Sequence, residues 1–401
     1  MSRITFNQLN SVVQRQLSRN QSKMSSLQEH LSSGKALERP SDAPIQVVND
    51  MDLRTNLNHR TQNKRNSDNG NTYLTVLDST MMGFDDLFQR NRELALQGSS
   101  DTLLPRDRQY VNNEVRQNLL QMVNMANSTY KGDFLFSGTD TDKVPYSVES
   151  ATMSINDTPN EVPVGGAVPE TTDPAWALNT PIPLYDRTLK DSVATSSPYG
   201  NPPVKNIIPG TFELTGFTEG TDYTVDYVNG TVTFINAATD PAISGTQLDM
   251  SFDWVRRNEL DNTNGDITRE VEPGIVVPVN IKADNVFGKS SGMDMFGAVI
   301  SLMQGLHTSS QSEIESSITN LDVSSQRALG QQATVGAWTN RMESTSDRND
   351  ENMIIATDLQ SSLEDLDFAK AISDYTLADS VYQASLQSAS RVLTKSLMDY
   401  L

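Results

Sequence analysis

"LSSGKALERPSDAP", Leu31 to Pro44, interrupts an amphipathic helical pattern that runs up to it and resumes beyond it. Upstream, Leu9, Val13, Leu17, Asn20, Met24, Leu27 and Leu31 step by four, four, three, four, three and four. From Val13 onward that is close to a heptad seam with one polar position. Ser33-Gly34 reads as a helix stop, because glycine adopts the left-handed geometry that ends helices at little cost. Pro40 and Pro44 keep the link from continuing as helix, and Ser41 and Asp42 are good N-caps for a second one. The stretch therefore reads as a connection that directs the first helix away from the body that follows.

That second helix is predicted to run to about Gln97 and end at Gly98. Its first half is polar ("RTNLNHRTQNKRNSDNGN"), and its second half repeats apolar residues at Leu77, Met81, Phe84, Phe88 and Ala95. A third helix starts near Pro105, aligns Val111, Val115, Leu119, Met122 and Ala126, and is expected to stop at Gly132. From about 145 to 290 prolines and glycines cluster and strand alternation replaces helical spacing. "YTVDYVNGTVTFI" gives two alternating runs joined at Asn229-Gly230, a strong hairpin signal, and "TFELTG" and "TQLDMSFDW" read as further strands. Helical spacing returns at Met293, with Met295, Val299, Leu302 and Leu306 on one face. A long polar helix is expected from Ser309 to about Ala371. A last helix, capped by Ser373-Asp374, carries Tyr375, Tyr382, Leu386, Ala389, Leu393 and Tyr400, with Asp379 interrupting.

The fold class expected is α+β: a discontinuous, elongated helical coiled-coil or bundle core built from both chain ends, with an inserted β-rich domain. Neither end has enough apolar residues to close its own core, so the two are expected to pair with each other or with neighbouring subunits. The domains are expected at 1–40 with 365–401, 41–144 with 290–364, and 145–289. Composition agrees. The 401 residues exceed one typical core, and a hydrophobic share of 36% with a mean hydropathy of −0.46 fits narrow apolar stripes.

The formal charge of −20 argues against nucleic acid or an anionic membrane as partner. Residues 1–65 run the other way, with ten Lys and Arg against five acids, so the N-terminal arm is mildly basic on an acidic body. The absence of cysteine excludes disulfides, thiol catalysis and thiolate metal sites. The start has no apolar core of a secretory signal peptide, and no stretch approaches the ~18 apolar residues of a membrane span.

Candidate chemistry is weak throughout. His30, His59 and His307 form no ligand pair of the H-E-x-x-H type. Gly288-Lys289-Ser290 has the tail of a phosphate loop, but Ala283 stands where its first glycine belongs. "LDNTNGD" around Gly265 resembles a calcium loop, yet Leu260 and Val271 occupy the first and last ligand positions. Glu364-Asp365 reads as a solvated helix face. In the insert, Trp176 and Trp254 fit core packing better than sugar stacking. No catalytic residue, metal ligand or cofactor site is assigned.

The block "LSSGKALERPSDAPIQVVNDMDLR", then "RELALQGSSD" with "VNNEVRQNLLQMVNMANSTYKGDFLFSG", and the end from Arg341 to Leu401 resemble the flagellin superfamily over roughly residues 1–142 and 293–401. "YKGDFLFSGTDTD" (Tyr130 to Asp142), the prolines Pro40 and Pro44, and the ending Ser396 to Leu401 are similar to its hook–filament junction members. The resemblance implies a structural subunit of the bacterial flagellum, exported unfolded through the flagellar type III channel without a cleaved signal peptide. It implies terminal arms that are disordered in the monomer and fold on assembly into an inner tube, beside a rod-like helical domain. Implied partners are copies of itself, the first junction protein on the hook side, flagellin on the filament side and an export chaperone. Inner-tube contacts are then expected at Leu17, Met24, Leu27, Leu31, Leu386, Leu393 and Leu397, and Gly34, Pro40 and Pro44 form the spoke between domains. The alternatives are a filament-forming flagellin and a secreted adhesin or enzyme acting through the insert.

Overall fold

The computed structural model describes residues 6–37, 43–155, 181–184, 204–235, 248–258, 265–288 and 293–398. Three helices come first: α1 (Phe6–Ser33), α2 (Pro44–Gly98) and α3 (Pro105–Ala126). The strands follow: β1 (Thr129–Tyr130), β2 (Asp133–Phe134), β3 (Tyr146–Ile155), β4 (Ile182–Pro183), β5 (Glu213–Leu214), β6 (Tyr223–Asp226), β7 (Thr231–Phe234), β8 (Leu248–Arg257), β9 (Thr268–Glu272) and β10 (Ile275–Pro278). The chain closes with α4 (Ala283–Phe287), α5 (Met295–Thr308), α6 (Gln311–Glu364) and α7 (Phe368–Met398). The architecture is α+β with helical ends that pack together, as expected. Two compact units are present, one formed by Met1–Asn66 with Thr345–Leu401, the other by Ser67–Ser344.

In the second unit α2 buries Leu74, Leu77, Met81, Phe84, Phe88 and Ala95. The polar stretch of α6 hides a seam as well. Ile314, Ser317, Leu321, Ser324, Ala328, Val335 and Met342 are buried at steps of three, four and seven, a heptad register carried partly by small residues. The two helices run antiparallel, since Ser325 bonds Asp85 while Gln332 bonds Asp78. Helix α5 is buried nearly all round, which its apolar composition requires. Phe84, Phe136, Tyr146, Phe287 and Phe296 stack edge-to-face or offset, at centroid separations of 4.8 to 6.2 Å, and join α2, β3, α4 and α5.

Four antiparallel sheets occur among the described residues, in the orders β1-β2, β10-β9, β3-β8-β5 and β4-β7-β6. Strands β3 and β8 pair from Tyr146↔Arg257 to Ile155↔Leu248. The predicted hairpin is β6-β7, but its connection is Tyr227 to Gly230 rather than Asn229-Gly230 alone. Tyr227 is fully buried, so the chain must carry that ring inward before it turns. Gly230 sits at φ +66°, and a Cβ there would fall 1.9 Å from the Val204 carbonyl oxygen, so no other residue fits.

Three boundaries differ from expectation. Helix α3 ends at Ala126, not Gly132, because Lys131 and Gly132 (φ 55° and 95°) make the tight turn between β1 and β2. Helix α6 ends at Glu364, not Ala371. Helix α7 begins at Phe368, with Asp367 accepting from the Lys370 N–H at 3.1 Å, so Asp367 takes the capping role expected of Ser373-Asp374. Ser41 and Asp42 lie outside the described residues; Pro44 is the first residue of α2, where its missing N–H costs nothing.

Candidate functional site

The first unit is where the two ends of the chain meet. Helices α1 and α7 pair antiparallel, with Asn20 opposite Ser385 and the Gly34 carbonyl opposite Leu366. On α1 the residues facing the seam are Val13, Leu17, Asn20, Met24, Leu27 and Leu31, all half-buried. On α7 they are the buried Ala371, Ala378 and Ala389 with half-buried Tyr375, Tyr382 and Ser385, again at steps of four and three. Large side chains of α1 thus meet a face of α7 in which alanines and a serine alternate with two tyrosines, and the polar seam position is satisfied in kind. Asn20 Nδ2 donates to Ser385 Oγ at 2.9 Å, and that hydroxyl donates to the Val381 carbonyl at 2.7 Å.

Of the residues assigned to assembly contacts, Leu17, Met24, Leu27 and Leu31 come together in this seam. Leu386 does not: it is 45% exposed and lies off the α1 side. Ala378, Ser385 and Ala389 line the seam; the spacing marks Ala389, while the small size of Ala378 and Ser385 hides them from a hydrophobicity-based reading. The side chains of Leu393 and Leu397, and Pro40 entirely, lie outside the described residues. Helix α7 also leaves Phe368, Ile372, Leu377 and Val381 exposed, between 45% and 63%. So much bare apolar surface on one helix marks an interaction face.

Where α1 and α7 meet their links, a clamp forms. Gly34 takes φ +74°, and its N–H closes on the His30 carbonyl at 2.9 Å, the left-handed helix end expected. The link then makes a short antiparallel bridge, Lys35 with Asp365. Ala36 N–H donates to the Glu364 carbonyl at 2.7 Å, and Leu366 N–H donates to the Gly34 carbonyl at 3.0 Å. The carboxylate of Glu364 accepts from Lys35 Nζ, from Arg54 Nη2 at 2.6 Å and from Gln360 Nε2 at 3.0 Å. Arg54 also reaches Asp50 at 2.8 Å. Glu364 is 6% exposed, which corrects the solvated-face reading at that residue, while Asp365 is exposed as expected. The bond from Lys35, first, and the nearby Arg54 charge hold its carboxyl below the ordinary carboxylate range. Further along, Asn349 Nδ2 donates to the Arg60 carbonyl at 2.9 Å and Lys64 pairs with Asp350 at 2.6 Å, tying α2 to α6.

The second unit carries a separate polar group. Glu219 accepts from the Tyr227 hydroxyl at 2.8 Å and bonds His307 Nε2 at 3.1 Å. That bond, outweighing burial, raises the His307 pKa. A cavity of about 370 Å³ nearby is lined by Lys205, Asn206, Asp226, Asp294, Gln304 and Glu313 among others. Asn206 Nδ2 bonds Asp294 at 2.8 Å, and Asp294 in turn caps α5 through Gly297 N–H at 2.6 Å, so these groups serve the fold. Trp254 is buried in the core, while Trp176 lies outside the described residues. Gly288 follows a helix, not a strand, and Lys289, Ser290 and Leu260 lie outside the described residues. Val271 is a buried strand residue. Among the described residues no three His, Cys, Asp or Glu side chains are grouped to hold a metal, and no helix is long and apolar enough to cross a membrane.

Comparison with known proteins bears on the same two ends. The family model of the bacterial flagellin N-terminal helical region matches residues 4–141, and that of the C-terminal helical region matches residues 312–401. Together they cover more than half of the chain. A flagellin from Clostridium tyrobutyricum is 20% identical over 396 residues, 90% of this chain and 91% of its own. Among solved structures, a protein provisionally assigned as flagellar hook-associated from Vibrio parahaemolyticus is 13% identical, with a TM-score of 0.50 over 81% of this chain and 100% of its own. Bacillus cereus FlgL is 11% identical, with a TM-score of 0.43 over 77% of this chain and 99% of its own.

Proposed function

The chain belongs to the flagellin family and is a structural protein of the flagellum, and from that premise we propose that it is a junction adaptor. In this reading its copies form a ring between the hook side and the filament and stop there. The observation that carries it is the first unit: two amphipathic ends joined by a narrow seam, with bare apolar side chains on α7 and a polar clamp at the links. Such ends gain the rest of their burial only against neighbours. The choice of junction over filament rests on "YKGDFLFSGTDTD", on Pro40 and Pro44, and on the Ser396–Leu401 ending.

The same reading assigns 1–40 with 365–401 to the inner tube, ordered on assembly, and 41–144 with 290–364 to the helical domain outside it. Residues 145–289 form an outer domain. Export proceeds unfolded through the type III channel, with a chaperone on the C-terminal helix. The first junction protein lies on the hook side and flagellin on the other. A filament-forming flagellin is the second reading, favoured by the match along most of the chain to a clostridial flagellin.

Seeded assembly separates them. Purified protein is added to isolated hooks bearing the first junction protein and to filament fragments, and growth is followed by electron microscopy. A single saturating layer on hook ends is the expected result. Continuous growth from filament fragments would make the chain a flagellin.

A further inference from the structure

Three cations stand on one face of α1. Arg15, Arg19 and Lys23 follow at four-residue steps, all exposed, and no acid occurs between Phe6 and Gln28 to offset them. They lie outside the stripe of Val13, Leu17, Asn20, Met24 and Leu27 that meets α7, and none has an ion pair among the described residues.

The complementary face is on α6, in the same unit. Asp347, Glu351 and Asp358 share one side of that helix, exposed, also without ion pairs among the described residues. Of the other charges nearby, Asp350 pairs with Lys64 at 2.6 Å and Arg348 is also engaged. Set among the three carboxylates are Ile354, Ile355 and Leu359, exposed to 63%, 64% and 50%. An acidic stripe alone is an ordinary solvated surface. One interleaved with three bare aliphatics is built to be covered.

Four residues of helix rise about 6 Å, so Arg15, Arg19 and Lys23 stand at the spacing of Asp347 and Glu351, with Asp358 about 10 Å further along the same side, and the two stripes can lie along each other. A chain of net charge −20 repels its own copies, and this cation stripe is where that repulsion is locally reversed. We propose that the Arg15–Arg19–Lys23 face of α1 in one copy docks on the Asp347–Glu351–Asp358 face of α6 in a second copy. The contact is heterologous: each copy keeps one face of either kind for its next neighbour, so it propagates around a ring or helix rather than closing a dimer. It rests on the reading of the chain as an assembling flagellar subunit, and it deepens that reading by naming the partner surface.

Charge reversal tests it in the full chain. One variant carries Arg15→Glu, Arg19→Glu and Lys23→Glu; a second carries Asp347→Lys, Glu351→Lys and Asp358→Lys; a third carries all six. Circular dichroism checks that each is folded, and the readout is protein co-sedimenting with hook or filament seeds. Either triple variant alone is expected to lose about tenfold or more of its incorporation, since like charges then face each other. An equimolar mixture of the two triples is expected to recover wild-type incorporation, because every contact in an alternating assembly is again of opposite sign. The six-fold variant recovers it for the same reason. Raising salt, which shortens the screening length from about 8 Å, weakens wild-type assembly.

Recovery by the six-fold variant but not by the mixture would place the contact within one chain and overturn the proposal. Triple variants that incorporate like wild type, or no recovery in either combination, would overturn it too. Wild-type growth from filament seeds, with the swap pattern intact, would remove the junction reading and leave this surface standing. A wild type that adds to neither seed overturns both.

Discussion

At the scale of single residues, two ionisable groups carry predictions of opposite sign. Glu364 is held below its usual range by Lys35 and Arg54, so its contribution is present above the unfolded carboxylate pKa of about 4.3 and is lost as pH falls through the lower folded value. Glu364→Gln is expected to cost about 1 kcal/mol at neutral pH and to flatten the acid limb of stability, read as melting temperature against pH from 6 to 3. His307 is held above its usual range by Glu219, so its contribution is complete below the unfolded pKa of about 6.5 and is lost as pH rises through the folded value. Wild type should therefore lose stability in the second unit as pH climbs from 6 towards 9, and Glu219→Gln should show a smaller slope in the same titration. An unchanged slope would mean that the His307–Glu219 bond contributes nothing in solution. Neither group was legible in the sequence. Lys35 and Glu364 stand 329 positions apart, and only the convergence of two links turns a surface-looking acid into a buried one.

At the scale of elements, heptad spacing reported α1 correctly to its last turn, because Leu17, Met24, Leu27 and Leu31 are large and the stop at Gly34 is chemically explicit. The partner helix was read in part: Tyr375, Tyr382 and Ala389 lie on its seam as their spacing implies, but Ala371, Ala378 and Ser385 lie there too, while the larger Leu386 is exposed. The same holds for α6, whose buried Ser317 and Ser324 look like surface. Small residues are chosen here for close approach rather than for transfer energy, so a scale of hydrophobicity passes over them. Because the α1–α7 seam is narrow and shared, damage to one helix should loosen both. Leu27→Asp is expected to cost about 1–2 kcal/mol, the loss of a half-buried apolar side chain to a charge. Hydrogen exchange should then rise together in 6–33 and 368–398, with 67–344 unchanged; exchange confined to α1 would show that α7 is held by something else.

At the scale of the whole molecule, the two units differ in what holds them. The second has an aromatic cluster, a largely buried α5 and paired sheets, whereas the first relies on half-buried seams and ion pairs. Calorimetry is expected to resolve two transitions, the first unit melting lower and shifting down in high salt as its ion pairs are screened. A single salt-independent transition would show that the units unfold as one. Fold class, the β-rich insert, the helical ends and their flagellin character were all determined by the sequence itself. Periodicity, turn chemistry and short signature stretches are local, and each can be read where it stands. Only the tertiary structure decided that α1 lies on α7 through alanines, that Glu364 is clamped, and which faces of α1, α6 and α7 stay bare. Those are properties of segments hundreds of residues apart, and burial exists only once a neighbour has arrived.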